Sequence, residues 1–231
     1  EASNHGDSIF DLDDTTLDTS VKGKLDQINQ ILVNTTIGET GQATGLTITA
    51  DAAILLKSLT KGLVITKDGK ILGNKGLNIA KFAIINGNIE NDGVIDGGVK
   101  IGTANNAFPL RSPTANASVT SFTNTGTVSG GFAIAGKQQV KGTPANSNGV
   151  DTFKLINKSG GVITGDIALS STSTDIKFNL ENDAGGKISG GAITVTKIDN
   201  KGVISPSASG KTITADEIIN NGIIATGKKE D

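Results

Sequence analysis

A chain of 231 residues can bury a continuous core, and a formal net charge of −2 with Arg111 as the sole arginine leaves it without the clustered cations that attract nucleic acid or an anionic bilayer. Cysteine is absent, which excludes a disulfide framework, a thiolate metal site and a cysteine nucleophile. Glycine is abundant, at 31 residues against 4 prolines, and rings come only from 7 phenylalanines, so the core must rest on Ile, Val, Leu and Ala, which suits narrow stacked strands.

The sequence starts at Glu1, contains no Met and has no apolar run long enough to span a bilayer, so it reads as a processed or truncated product without a signal peptide. The first ten residues are polar and expected to fray. Asp11-Leu12-Asp13-Asp14-Thr15, preceded by Ile9-Phe10, resembles the nucleophile motif of haloacid-dehalogenase-type phosphatases, where the first Asp attacks phosphorus, the second is a general acid and both help hold Mg²⁺. That family needs a buried strand before the motif and alternating strands and helices after it; here a polar lead precedes it and a strand repeat follows. Gly6-Asp7-Ser8-Ile9 resembles the nucleophile block of GDSL-type esterases, whose general base is a His near the other end of the chain, but the single His5 lies beside the motif. Both motifs are read as a solvated polar terminus.

From Leu17 to Val33 the apolar residues Leu17, Val21, Leu25, Ile28 and Leu32 follow helical steps, with Thr19 or Ser20 as cap, and predict one amphipathic helix. Ala52 to Leu59 fits either a helix or a buried strand. Residues 1–62 are therefore expected to form a mixed capping segment whose helix covers the open edge of the first coil.

From Leu63 onward one phrase recurs: an apolar residue, an Asn two places on, a Gly after a short gap, then a β-branched residue. Asn74, Asn91, Asn124, Asn157, Asn182, Asn200 and Asn220 mark seven copies, spaced by 17, 33, 33, 25, 18 and 20 residues. Repeats of this kind specify architecture before anything else. The apolar residue (Ile89, Phe122, Leu155, Leu180, Ile198, Ile218) is predicted to point inward, since residues two apart in a strand share a face. Asn suits a corner because it tolerates left-handed backbone and its amide bonds nearby backbone. Stacked coils, about 4.8 Å apart, would set Asn91, Asn124, Asn157, Asn182, Asn200 and Asn220 one above another, their amides forming a ladder. The expected role of these Asn residues is structural.

The repeat units resemble the N-x-G-x-I-x-G phrases of autotransporter (type V secretion) passenger domains over roughly residues 63–227. Gly190-Gly191-Ala192-Ile193 also resembles a motif of chlamydial polymorphic outer-membrane proteins, but the FxxN series that accompanies it there is missing. The autotransporter resemblance implies an all-β chain, a right-handed parallel β-helix, displayed on a Gram-negative surface or secreted through the outer membrane. It implies a passenger fragment without membrane insertion of its own, ending after a repeat at Lys228-Lys229-Glu230-Asp231.

The repeat is interrupted at residues 102–118 and 137–148, which hold Pro109, Pro113 and Pro144, and Pro206 sits in a third gap, where no ladder donor is needed. Insertions sharing one register should protrude from one side, and such a side often binds. Phe108, Arg111, Lys137, Gln138 and Lys141 form the candidate ligand set, a ring to stack on a sugar and cations to pair with carboxylate or sulfate. The expected function is a surface adhesin that binds host matrix, a glycan or another copy of itself, with no cofactor, metal or nucleic acid. The rival is a β-helix polysaccharide lyase or hydrolase, which would need converging carboxylates such as Asp96, Asp166, Asp175, Glu181 and Asp183, here spaced as solvated corners.

Overall fold

The computed structural model describes residues 31–48, 62–79, 87–102, 119–134, 152–169, 176–206 and 210–225. They form eight coils. The first holds β1 (Ile31–Val33), β2 (Thr36–Gly38) and β3 (Gly45–Ile48), the second β4 (Leu63–Ile65), β5 (Lys70–Leu72) and β6 (Gly76–Ile79). The third holds β7 (Gly87–Asn91), β8 (Val94–Ile95) and β9 (Val99–Ile101), the fourth β10 (Val119–Asn124), β11 (Thr127–Ser129) and β12 (Phe132–Ile134). Coils five and six have two strands each, β13 (Thr152–Asn157) with β14 (Val162–Leu169) and β15 (Lys177–Asn182) with β16 (Lys187–Thr194). Coil seven holds β17 (Lys197–Asn200), β18 (Val203–Ser205) and β19 (Ile213–Thr214), and coil eight β20 (Glu217–Asn220) and β21 (Ile223–Ile224).

Every pairing joins one coil to the next, and every pairing is parallel, so the described residues form an all-β solenoid. The first face runs β1-β4-β7-β10-β13-β15-β17-β20. The second face comprises β2, β5, β8, β11, the first halves of β14 and β16, then β18 and β21. The third comprises β3, β6, β9, β12, the second halves of β14 and β16, then β19. In β14 the two faces meet within one strand at Gly165, whose φ of +108° turns the chain, and the register with β16 shifts there between Gly165 and Ile167.

Alternation explains the core. In β13, Phe153, Leu155 and Asn157 point inward and are buried, while Thr152, Lys154 and Ile156 face out. Stacking puts like on like: Ile31, Leu63, Ile89, Phe122, Leu155, Leu180, Ile198 and Ile218 share one column of the first face. Rings cluster mid-rod, where Phe132 from the third face meets Phe122, Phe153 and Phe178 from the first at centroid distances of 5.1, 5.9 and 5.9 Å. Phe178→Ala empties a fully buried site between two coils and is expected to cost about 3–5 kcal/mol in a denaturant melt.

Two expectations need correction. The helical pattern predicted to end at Val33 gives way to strand β1: Ile31 and Val33 are buried at 7% and 4% while Leu32 is 55% exposed, a period of two. Pairing with Leu63–Ile65 decides this, so the described solenoid already includes Ile31 and does not begin near residue 63. Residues 1–30 and 49–61, which include the rest of that pattern and Ala52–Leu59, lie outside the described residues, and no helix occurs among the described ones. Asn74 is not the first copy of the repeat. Ile65 is the residue aligned with Asn91, while Asn74 follows β5 at another corner, exposed, its Nδ2 donating to Gly41 O at 3.2 Å.

Candidate functional site

The first corner of the solenoid, between the first and second faces, is lined by Asn91, Asn124, Asn157, Asn182, Asn200 and Asn220. Each Nδ2 donates to the Oδ1 of the next Asn: Asn91 to Asn124 at 2.8 Å, Asn124 to Asn157 and Asn157 to Asn182 at 2.9 Å, Asn182 to Asn200 and Asn200 to Asn220 at 2.8 Å. The same nitrogen reaches a carbonyl of its own corner and one in the coil above; for Asn157 these are Gly161 O at 3.1 Å and Lys187 O at 3.4 Å. All but Asn220 are essentially inaccessible to solvent. A buried amide with its donors and acceptor filled holds the turn shape and offers nothing to a ligand. The ladder starts abruptly: Asn91 Oδ1 is buried without a hydrogen-bond partner because Ile65 occupies the position below it.

The glycine of each phrase backs this ladder. A methyl on Gly126 would fall onto Gly93 O and lie 2.7 Å from Asp92 C, and one on Gly202 would fall onto Gly186 O and lie 2.6 Å from Asn182 Nδ2. The coils thus approach at the corner as closely as backbone allows.

The outer surface carries charges between coils. Lys154 pairs with Glu181 at 3.2 Å, Lys158 with Asp183 at 3.0 Å, Lys197 with Glu217 at 3.0 Å, and Lys211 with Asp166 at 3.0 Å. Two of these have a signal that sequence reading missed. Lys158 and Asp183 each follow a ladder Asn, and Lys197 and Glu217 each stand three places before one, so opposite charges at equal offsets mark stacked pairs. The carboxylates weighed as a catalytic set are spread out. Asp96 follows β8, Asp166 sits on the outer bend of β14, Glu181 and Asp183 flank Asn182 at the first corner, and Asp175 lies outside the described residues. Among the described residues no three His, Cys, Asp or Glu side chains gather as a metal site would require.

Among the described residues, Asp166 stands out by its titration. Its carboxyl is held below the ordinary carboxylate range, first by the Ala192 N–H donated at 2.8 Å, then by Lys211. A lowered value in the fold stabilises above the unfolded-state pKa of about 3.9 and is lost as pH falls through the folded one. The pair is exposed, so Asp166→Asn is expected to cost no more than about 1 kcal/mol, with the difference vanishing in melts at 1 M salt.

The third corner, where the third face hands over to the first, varies most in length, although the second corner is also interrupted, between β18 and β19 around Pro206. Between β16 and β17 it closes over Val195 and Thr196 alone, Thr196 Oγ1 accepting the Phe178 N–H at 2.9 Å. Between β19 and β20 Ala215 and Asp216 close it as tightly, and at the other five crossings, after Ile48, Ile79, Ile101, Ile134 and Leu169, the gaps are longer. Both predicted insertions belong here: the chain leaves coil three at the end of β9 and coil four at the end of β12, and each time re-enters on the first face. Phe108, Arg111, Lys137, Gln138 and Lys141 themselves lie outside the described residues, as do the two motifs at residues 5–15. In comparisons with known proteins, no family model, no curated protein and no solved structure matches this chain.

Proposed function

We propose that this chain is a surface-displayed bacterial adhesin of the autotransporter-passenger type, a rigid rod that binds host matrix, a glycan or a second copy of itself through the segments at its third corner. The observation that carries this reading is that the gaps between β9 and β10 and between β12 and β13 open at one corner of adjacent coils. Segments sent out from one corner of neighbouring coils share a side, as binding insertions on a solenoid do. The rod supports the reading too, because its polar groups at the first corner are spent on holding coils together. Phe108 would supply a stacking surface, and Arg111, Lys137, Gln138 and Lys141 donors for carboxylate, sulfate or hydroxyl groups.

The test replaces residues 102–118 and 137–148 with the two-residue Val-Thr turn that closes the corner before β17. Display of the variant on cells should abolish adherence to matrix-coated or glycan-coated surfaces and any clumping of cells, while the melt of the purified rod stays cooperative. Adherence and clumping at the level of the parent chain would overturn the reading.

A further inference from the structure

The residue after each ladder Asn stands on the outside of the first corner, and these residues form a column of their own: Asp92, Thr125, Lys158, Asp183, Lys201 and Asn221. Each is held by the same kind of backbone bond, its N–H donating to the coil below, as Lys158 does to Asn124 O at 2.8 Å, Lys201 to Asn182 O at 2.7 Å and Asn221 to Asn200 O at 2.7 Å. The column is exposed or half-buried in every coil, including those with a coil stacked above, so the exposure of Asn221 does not come from its place in coil eight. Within it Lys158 and Asp183 pair across coils at 3.0 Å. Lys201 stands to Asn221 as Lys158 stands to Asp183, yet it has no ion-pair partner among the described residues.

Asn221 precedes Gly222, the one Asn-Gly pair among the described residues. Glycine matters here because, lacking Cβ, it presents its backbone nitrogen to the preceding side chain with the least hindrance. That nitrogen is also lightly held. At matching corners the N–H groups of Gly126 and Gly202 donate to Asn91 O and Asn182 O in the coil below, at 3.0 and 3.1 Å, whereas that of Gly222 reaches Asn220 Oδ1 at 3.3 Å. The ladder Asn lack both advantages, since from Asn91 to Asn200 their amides are buried and the N–H that follows each is bonded to the coil below.

We infer that Asn221 is a site of self-modification, which converts to aspartate through a cyclic imide and gives Lys201 the carboxylate it lacks. Gly222 N attacks Asn221 Cγ; its proton and the side-chain nitrogen leave as ammonia, and a five-membered imide joins the two residues. Water then opens the ring at one of two carbonyl carbons, with one proton released. Addition at Cγ breaks its bond to Gly222 N and restores the backbone beside a side-chain carboxylate; addition at the backbone carbonyl leaves the chain running through Cβ and Cγ, one carbon longer. The corner selects between them. A methyl on Gly222 would fall onto Gly202 O and lie 2.6 Å from Lys201 C, and the Ile223 N–H donates to Gly202 O at 2.9 Å, so a lengthened chain cannot keep both Asn221 and Ile223 bonded to coil seven. The product of ordinary length keeps both and repeats the Lys158–Asp183 pair one step along the column. This proposal does not depend on the adhesin reading, which concerns another corner.

The test holds the full chain in mildly alkaline buffer, where the attacking nitrogen loses its proton more readily, beside a free peptide of residues 214–223 (TADEIINNGI). Peptide mapping by mass spectrometry follows both, separates the two acid products, and resolves Asn221 from Asn86 and Asn148, which also precede Gly. Conversion is expected at Asn221 and at none of Asn91, Asn124, Asn157, Asn182 and Asn200, with the lengthened product minor in the folded chain and major in the peptide. Asn221→Asp should melt about 1–3 °C above the parent at low salt and level with it at 1 M salt, and adding Lys201→Gln should remove the gain. An intact Asn221 once the peptide has converted, a lengthened product that dominates in both, or a melt that Lys201→Gln leaves unchanged would overturn the proposal.

Discussion

Asn157→Asp lowers stability by about 3–5 kcal/mol at neutral pH and regains part of it in acid, the cost being that of an uncompensated buried charge. The amide nitrogen it replaces donates to Asn182 Oδ1, Gly161 O and Lys187 O, and all three are acceptors with nothing else to offer a carboxylate. A carboxylate oxygen in that place is buried, charged and surrounded by oxygen, so burial and repulsion both raise its folded pKa. The sign follows from that. The folded chain holds the proton to higher pH than the unfolded chain, so the penalty is absent below the unfolded value of about 3.9, accumulates as pH rises towards the folded value and is constant beyond it. Protonated, the new side chain donates once, to Asn182, and still accepts from Asn124, which is why recovery is partial. Urea melts at pH 4 and pH 7 check this, with Asn157→Leu as a variant that is destabilised without pH dependence. Equal loss by Asn157→Asp at both pH values would mean that the ladder nitrogen does not face acceptors.

The second large effect is expected from Gly126→Ala. Gly126 does not lie in the left-handed region, so its need for glycine is not conformational; an added methyl collides with Gly93 O and closes to 2.7 Å of Asp92 C. Neither atom is the tip of a side chain, so coils three and four must separate, with loss of the Thr127 N–H bond to Gly93 O at 2.9 Å and strain on the Asn91–Asn124 rung. We expect about 3 kcal/mol, the upper part of the overpacking range. Gly41→Ala is the matched control. Gly41 has φ +78° and nothing within 4 Å of the methyl position, so it isolates the backbone cost of about 1–2 kcal/mol. If the two substitutions cost the same in thermal or chemical melts, close approach at the corner is not what selects glycine there.

Much of the rod is legible in the sequence because its rules are local. Leu180-x-Asn182 reads as inward apolar residue and corner because strand alternation and the conformational tolerance of Asn act within a few residues, and the same holds from Ile89-x-Asn91 to Ile198-x-Asn200. The candidate site was legible only as a place. The repeat shows where it is interrupted, and the residues chosen within the interruptions, Phe108, Arg111, Lys137, Gln138 and Lys141, obey no repeat that would set their neighbours. Ile218 shows the limit of local rules in the other direction, since its phrase is that of a core residue and yet it is exposed, with no strand stacked above β20 among the described residues.

The sequence by itself determined the coil: which residues turn, which point inward, and that the Asn and Gly of each phrase are corners. Tertiary structure alone decided how coils meet. It made Ile31–Val33 a strand by pairing it with Leu63–Ile65, put Ile65 rather than Asn74 beneath Asn91, and set Lys158 beside Asp183. The physical reason is that stacking is a contact between residues 16 to 35 positions apart, and its register is chosen by the fit of whole coils, glycine against glycine and amide against amide, which no short window of sequence contains.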